Sequence, residues 1–232
     1  MATLGGGGPP ERTPDTPNIH VNYDNSTQAT LIGQGGNADV YRITVEHNNS
    51  EIPVAVKQPR LQQTLGSEVV DRFVEEAEVW ESLDSHENIV DIVDWNDKPF
   101  PWIAMEYMDG GTLEALTADE ELPLEQAIWV GLCVTRAVRH AHRHGVVHYD
   151  IKPANVLFRQ SANGWMVPKV SDWGLARMML DETNSVAGLS PQYAAPEQFD
   201  SDGSVEILRE LHVHHVIRRD EGPPEVADSP VY

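Results

Sequence analysis

Cysteine, lysine and positive charge are what this sequence has least of. Cys133 is the one cysteine in 232 residues, so no internal disulfide can form. Its place in the apolar stretch 127–134 points to a buried thiol and a reducing compartment. Sixteen Lys and Arg stand against 37 Asp and Glu, a formal net charge of −21. That balance excludes nucleic acid or an anionic membrane as a default partner, because both demand a surplus of cations. Any phosphate this chain binds must be held by a few placed groups. Long apolar runs are absent too: none approaches the ~20 residues of a membrane span, and the opening MATLGGGGPP has no basic-then-apolar leader pattern. A cytoplasmic protein without a membrane span is expected. The basic side is itself uneven, with only Lys57, Lys98, Lys152 and Lys169 beside twelve arginines. Acid enrichment with lysine depletion suits a halophilic cytoplasm, where salt screens self-repulsion.

What is present suffices for a core: 40% of the residues are apolar. Residues 1–25 are rich in Gly, Pro, Thr and Asn and read as a disordered lead-in. TLIGQGGNADVYRITV reads as strand, glycine turn and strand, and IPVAVK as a third strand. Over 67–83 the apolar residues Val70, Phe73, Val74, Ala77, Trp80 and Leu83 recur at three and four residue steps, predicting an amphipathic helix. IVDIVDW and PWIAMEYM form a β pair, and 124–144 is a long helix with Leu132, Thr135, Arg136 and Arg139 at helical spacing and Gly145 as its stop. Strands NVLFR and PKVSD flank a turn at 161–164. No internal repeat is visible. The order describes an α+β protein with a small β-rich lobe and a second, mostly helical one.

Gly33, Gln34, Gly35 and Gly36, followed by Asn37, Ala38, Asp39 and Val40, sit between two strands, where glycines let a hairpin lie close over phosphates and offer backbone donors. The strand Val54-Ala55-Val56-Lys57 follows, then an acidic helix carrying Glu75, Glu76 and Glu78. A lysine aimed at phosphates must be held in place, and a helix carboxylate can do so. Glu76 is the candidate, since Phe73 and Ala77 face inward beside it. Further on stand His148-Tyr149-Asp150-Ile151-Lys152-Pro153-Ala154-Asn155, then Asp172-Trp173-Gly174, then Ala195-Pro196-Glu197.

In these six motifs and their order the chain resembles the eukaryotic-type serine/threonine protein kinase family, from about Thr30 to about Phe199. The resemblance implies a bilobal fold with a β-rich N-lobe and, since few residues follow Glu197, an incomplete helical C-lobe. It implies a kinase-like domain over 26–200, the N-lobe reaching about 108, and an atypical tail at 201–232. ATP and Mg²⁺ are the implied ligands, and serine or threonine hydroxyls of proteins the substrates. Asp150 would take the substrate proton, Lys152 would sit on the γ-phosphate, and Asn155 and Asp172 would hold the metal. PWIAMEYMDGGTL resembles the hinge: Met105 lines the adenine pocket, the backbones of Glu106 and Met108 bond the adenine edge, and Gly33, Gln34, Gly35, Gly36, Val40, Ala55, Lys57, Glu76 and Leu157 complete the ATP site. The alternative is a non-catalytic nucleotide-binding pseudokinase or scaffold.

Four departures bear on this. Ala38 replaces the third loop glycine. Trp173 replaces phenylalanine and is expected to stack with Trp80 and His148. Tyr149 replaces the arginine that pairs with an activation-loop phosphate, so activity independent of phosphorylation at Thr183, Ser185 or Ser190 is expected. Finally, the tail aligns with none of the family's later helices; 205–217 offers one amphipathic helix, and a truncated or frame-shifted product is the reading of it. His140 and His144 share i, i+4 spacing, but a solvated polar face is expected there rather than zinc.

Overall fold

A computed structural model describes residues 29–35, 38–60, 67–118, 121–162, 165–174 and 176–178, together with Pro9, Thr16, Ile19, His20, Val21, Ser190 and 192–194. Gly36, Thr183, Ser185, Ala195, Pro196, Glu197 and the tail lie outside the described residues.

The N-terminal lobe is an antiparallel five-stranded sheet in the order β1 (Thr30–Gln34), β2 (Ala38–His47), β3 (Ser50–Pro59), β5 (Trp102–Glu106), β4 (Ile92–Asn96). β2 and β3 pair without interruption from Ala38↔Pro59 to His47↔Ser50. Asn48 and Asn49 close that hairpin, both at positive φ (51° and 60°), the conformation that a two-residue turn between right-twisted strands requires. Helix α1 (Ser67–Glu81) packs Phe73 and Ala77 on Ala38 and Ile103, on one face of the sheet. Leu83, read as part of the helix, lies in the turn beyond it and is fully buried there.

The opposite face carries Ile43, Val54, Val56, Trp102 and Ala104, and Val21 closes over them. Here the structure departs from the reading of 1–25 as disordered: Ile19 and Val21 are 3% and 2% exposed. Burying a side chain of this size contributes about 1.5 kcal/mol or more, enough to fix these residues although their surroundings carry a loop-like composition.

In the second lobe, α2 (Leu113–Leu116) is capped by Thr112, whose hydroxyl accepts the Ala115 N–H. α3 (Leu124–Arg143) buries Val130, Cys133, Val134, Ala137, Val138 and Ala141 and stops where expected, at Gly145 with φ 75°. Its apolar face is not the one that Leu132 marks; Leu124, Ile128 and Leu132 are exposed. β6 (Val146–Val147) pairs with β9 (Arg177–Met178), and β7 (Val156–Gln160) with β8 (Met166–Val170). The lobes are sewn together by Val90 N–H to Val170 O, Val170 N–H to Asn88 O and Gly110 N–H to Phe158 O. A Cβ on Gly110 would stand 2.7 Å from Phe158 Cβ, so only glycine allows that approach. One apolar cluster runs across the junction, from Ala55, Met105 and Met108 to Val134, Phe158 and Trp173. No described helix is long and apolar enough to cross a membrane.

Candidate active site

Lys57 emerges from β3 on the face that α1 covers. Its Nζ donates to Glu76 Oε1 at 2.6 Å and to Asp172 Oδ1 at 2.7 Å, so the helix carboxylate chosen from the 3.6-residue period is the one that meets it. Burial alone would lower the lysine's pKa, yet Glu76 and Asp172 together raise it above the ordinary range. Lys57 in turn holds Asp172 below the usual carboxylate range, while burial pushes Glu76 up. Gly174 lies against the same pair: a Cβ there would stand 3.0 Å from Glu76 Oε2.

Around the catalytic loop, His148 donates Nε2–H to Ser171 O and accepts the Asp150 N–H at Nδ1, which fixes the start of the loop. Its ring stands 4.5 Å from that of Trp173, centroid to centroid, the contact expected with His148; Trp80 belongs to the same apolar cluster as Trp173. Tyr149 and Asp172 both take positive φ, 63°, backbone strain of the kind that active sites hold in place. Asp150 is buried. Its Oδ2 accepts from Lys152 Nζ at 2.6 Å and from Asn155 Nδ2 at 3.1 Å, while Oδ1 is buried with no hydrogen-bond partner among the described residues. A carboxylate held by one oxygen and bare at the other is oriented to receive a proton.

Asn155 also donates to the Asp150 carbonyl at 2.8 Å; among the described residues its amide oxygen and Asp172 Oδ2 are left for other partners. These are hard oxygen donors of the type Mg²⁺ takes, one or two from protein with the rest from phosphate and water. Among the described residues no three His, Cys, Asp or Glu side chains are grouped to hold a metal unaided. The oxygens of Asn155 and Asp172 fit a cation of this kind.

The adenine-side residues also come together. Ala55 pairs with Met105 and Val40 with Lys57 across the sheet, and Ala55, Met105 and Met108 join one cluster against which Val40 and Leu157 pack. In the glycine loop Gly33 pairs with Val40 and Gln34 with Asp39. The Gly35 N–H is spent inside the turn, on Ala38 O at 2.9 Å, and so is no phosphate donor in this conformation. The Glu106 N–H is likewise taken by Asp91 O, which leaves only the carbonyl of its backbone for a ligand.

Three groups that sequence reasoning passed over surround Glu106. Its carboxylate accepts from Lys169 Nζ, from Arg159 Nη1 and from the Asp91 N–H, and Lys169 is 2% exposed. The hinge is thereby tied to β7 and β8. The scarcity of lysine was a usable signal: besides the two cations of the site, Lys169 was a third lysine with no assigned task. The histidine reading needs correction. His140 is not on a solvated face; its Nε2–H reaches Leu83 O, and its ring stacks at 4.5 Å on His86 and 4.3 Å on His144. Ser190, read as a possible phosphosite, accepts a hydrogen bond from Lys152 at 2.8 Å, beside the Asp150 carboxylate.

The model of the protein kinase domain matches residues 26–220. The chain belongs to this family. Its relatives include the serine/threonine-protein kinase PrkC of Bacillus subtilis, 38% identical over 72% of this chain and 26% of the relative. A probable serine/threonine-protein kinase of Streptomyces coelicolor is 35% identical over 87% of the chain and 31% of the relative, and PknB of Mycobacterium leprae 33% identical over 87% and 33%. The chain thus spans about a quarter to a third of the length of these kinases. In this kinase domain Lys57 pairs with Glu76, and Asp150 meets Lys152 and Asn155.

Proposed function

We propose that this chain transfers the γ-phosphoryl group of ATP to serine and threonine hydroxyls of proteins. The observation that carries the reading is the buried, unpartnered Oδ1 of Asp150, on a carboxylate whose other oxygen Lys152 and Asn155 hold. Oδ1 is closed to solvent in this conformation; a substrate hydroxyl that reached it on binding would be aligned for attack and would pass its proton there. Lys152, 2.6 Å from the base, supplies positive charge on the side where γ-phosphate oxygens would stand, and Lys57 supplies it to the α and β phosphates, held by Glu76. Mg²⁺, when bound by Asn155 and Asp172, neutralises charge on the transferring phosphates. Ala55, Met105, Met108, Val40 and Leu157 offer adenine an apolar slot, with the Glu106 carbonyl and the Met108 backbone at its edge. Lysine two residues after the base is the family's serine/threonine pattern.

The proposed domain runs over 26–200 with its N-lobe to about 108, and 201–232 as a distinct tail; the family match itself continues to 220. The acid excess supports a salt-rich cytoplasm as the setting. The test is labelling of a protein substrate with radioactive ATP and Mg²⁺ in high KCl, comparing wild type with Asp150→Ala and Lys57→Met. Incorporation by wild type alone is expected. Equal signal from all three would exclude intrinsic activity, and stabilisation by Mg·ATP would then mark a non-catalytic nucleotide binder.

A further inference from the structure

Upstream of β1, Thr16, Ile19, His20 and Val21 meet the sheet at two aspartates. Thr16 Oγ1 donates to Asp91 Oδ2 at 2.6 Å, Val21 N–H to Asp94 Oδ2 at 2.7 Å, and His20 Nδ1 lies 2.9 Å from the same Asp94 oxygen. Ile19 and Val21 are buried as apolar pegs. Asp91 is part of the hinge frame: it exchanges backbone hydrogen bonds with Glu106, its N–H on the Glu106 carboxylate and its carbonyl on the Glu106 N–H. Lys169 Nζ stands 3.7 Å from the oxygen that takes the Thr16 proton. One threonine hydroxyl therefore ties the N-terminal segment to the aspartate that frames the hinge.

We propose that Thr16 is a phosphoryl acceptor and that its phosphorylation releases this N-terminal strap from the hinge. The contact is one-sided: Asp91 can only accept, and the hydroxyl is there as a donor. A phosphothreonine has no proton on that oxygen and carries about −1.5 to −2 charges, and it would face Asp91 with Asp94 nearby in a chain of net charge −21. Lys169, the cation beside Asp91, is already paired with Glu106. Since Oγ1 is engaged in the docked form, transfer occurs on the undocked strap, and the phosphate then bars its return. In that step the bond from the γ-phosphorus to the β,γ-bridging oxygen of ATP breaks and a P–Oγ1 bond forms. The hydroxyl proton goes to the Asp150 carboxylate of the acting molecule, and ADP leaves. Self-modification rests on the phosphotransfer reading above; the strap contact does not.

The experiment incubates the full chain with Mg·ATP, maps phosphate by mass spectrometry, and follows amide hydrogen exchange at Val21 and Glu106, whose N–H groups report the strap and the hinge frame. Phosphate on Thr16 is expected in wild type and not in Asp150→Asn. Thr16→Glu should speed Val21 exchange at least tenfold and Glu106 exchange several-fold, Thr16→Ser should keep wild-type rates, and Asp91→Asn added to Thr16→Glu should slow exchange again. Thr16→Val, which removes the donor without adding charge, should raise Val21 exchange several-fold and leave α3 protected. Phosphate on other residues with none on Thr16 overturns the acceptor assignment. Wild-type exchange in Thr16→Glu and Thr16→Val, or equal rates in Thr16→Ser and Thr16→Glu, overturns the release. No phosphate anywhere overturns the phosphotransfer reading and self-modification together, and the exchange rates then decide the strap by themselves.

Discussion

At the scale of single residues, the two oxygens of Asp150 are unequally engaged, and the proposed function makes this carboxylate the base. Asp150→Asn keeps an acceptor for Lys152 and Asn155 but cannot take a proton, so kcat should fall by about 10²- to 10⁴-fold with the fold unchanged, read by steady-state kinetics alongside circular dichroism. Lys169 poses the opposite question, since its charge is buried for structural ends. Removing one member of a buried ion pair leaves the other uncompensated, at a typical cost of about 3–5 kcal/mol. Arg159 still answers Glu106, so Lys169→Met should cost about 3 kcal/mol in urea unfolding. Lys169→Met with Glu106→Gln, which removes the uncompensated charge but keeps an acceptor for Arg159 and the Asp91 N–H, should cost less than Lys169→Met alone. A larger loss in the double variant would refute the pairing.

Elements couple through few contacts, and two of them are open to test. Gly174 lies where α1 meets the loop after β8. Gly174→Ala puts a Cβ 3.0 Å from Glu76 Oε2, which should displace that carboxylate from Lys57, raise KM for ATP several-fold and leave Tm within a few degrees. Between α1 and α3, His86 is held at a pKa of about 4, first by burial and then by the neighbouring His140. Its ordinary value is 6.5, so from pH 6.5 down to 4 the unfolded chain binds the extra proton. The part of the stability that depends on His86 must therefore fall on acidification across that window, by up to about 1.4 kcal/mol per pH unit, while Glu76, raised from its ordinary 4.5, works in the opposite sense above pH 4.5. Asp172, also depressed, adds its own loss only below its ordinary 3.8. His86→Asn keeps an acceptor for the Asn88 N–H and should flatten the slope between pH 6.5 and 4.5 in urea titrations. These contacts also show where sequence reading stops. Glu76 was legible because the helical period points it to one face, and the hinge because PWIAMEYMDGGTL resembles the family's segment there. Lys169 was not, because its partner Glu106 lies 63 residues away and nothing local in PKVSD announces a buried charge. Thr16 and Val21 were hidden for the same reason: a short apolar pair in a Gly- and Pro-rich stretch reads as linker until the sheet face that it covers is known.

For the molecule as a whole, a net charge of −21 works against the compact state, and screening relieves it. Raising KCl from 0.1 to 2 M should lift Tm by several degrees, whereas an equal osmolality of sucrose, which does not screen, should not reproduce the part of the rise that varies with ionic strength. The motifs concentrate the scarce positive charge where it acts: Lys57, Lys152 and Lys169 are engaged in ion pairs in the interior, and only Lys98 stands out in solvent. The bridge from Lys57 to both Glu76 and Asp172 has one more consequence. An ammonium group has three protons, and here two are already given to carboxylates. The third can meet one phosphate oxygen of an arriving nucleotide, but a second must compete with Asp172 for this lysine, and whatever it wins frees a carboxylate oxygen for a divalent cation. Nucleotide and metal would then load as mutual facilitators, each making room for the other, an exchange of partners around a single lysine rather than the filling of two independent seats.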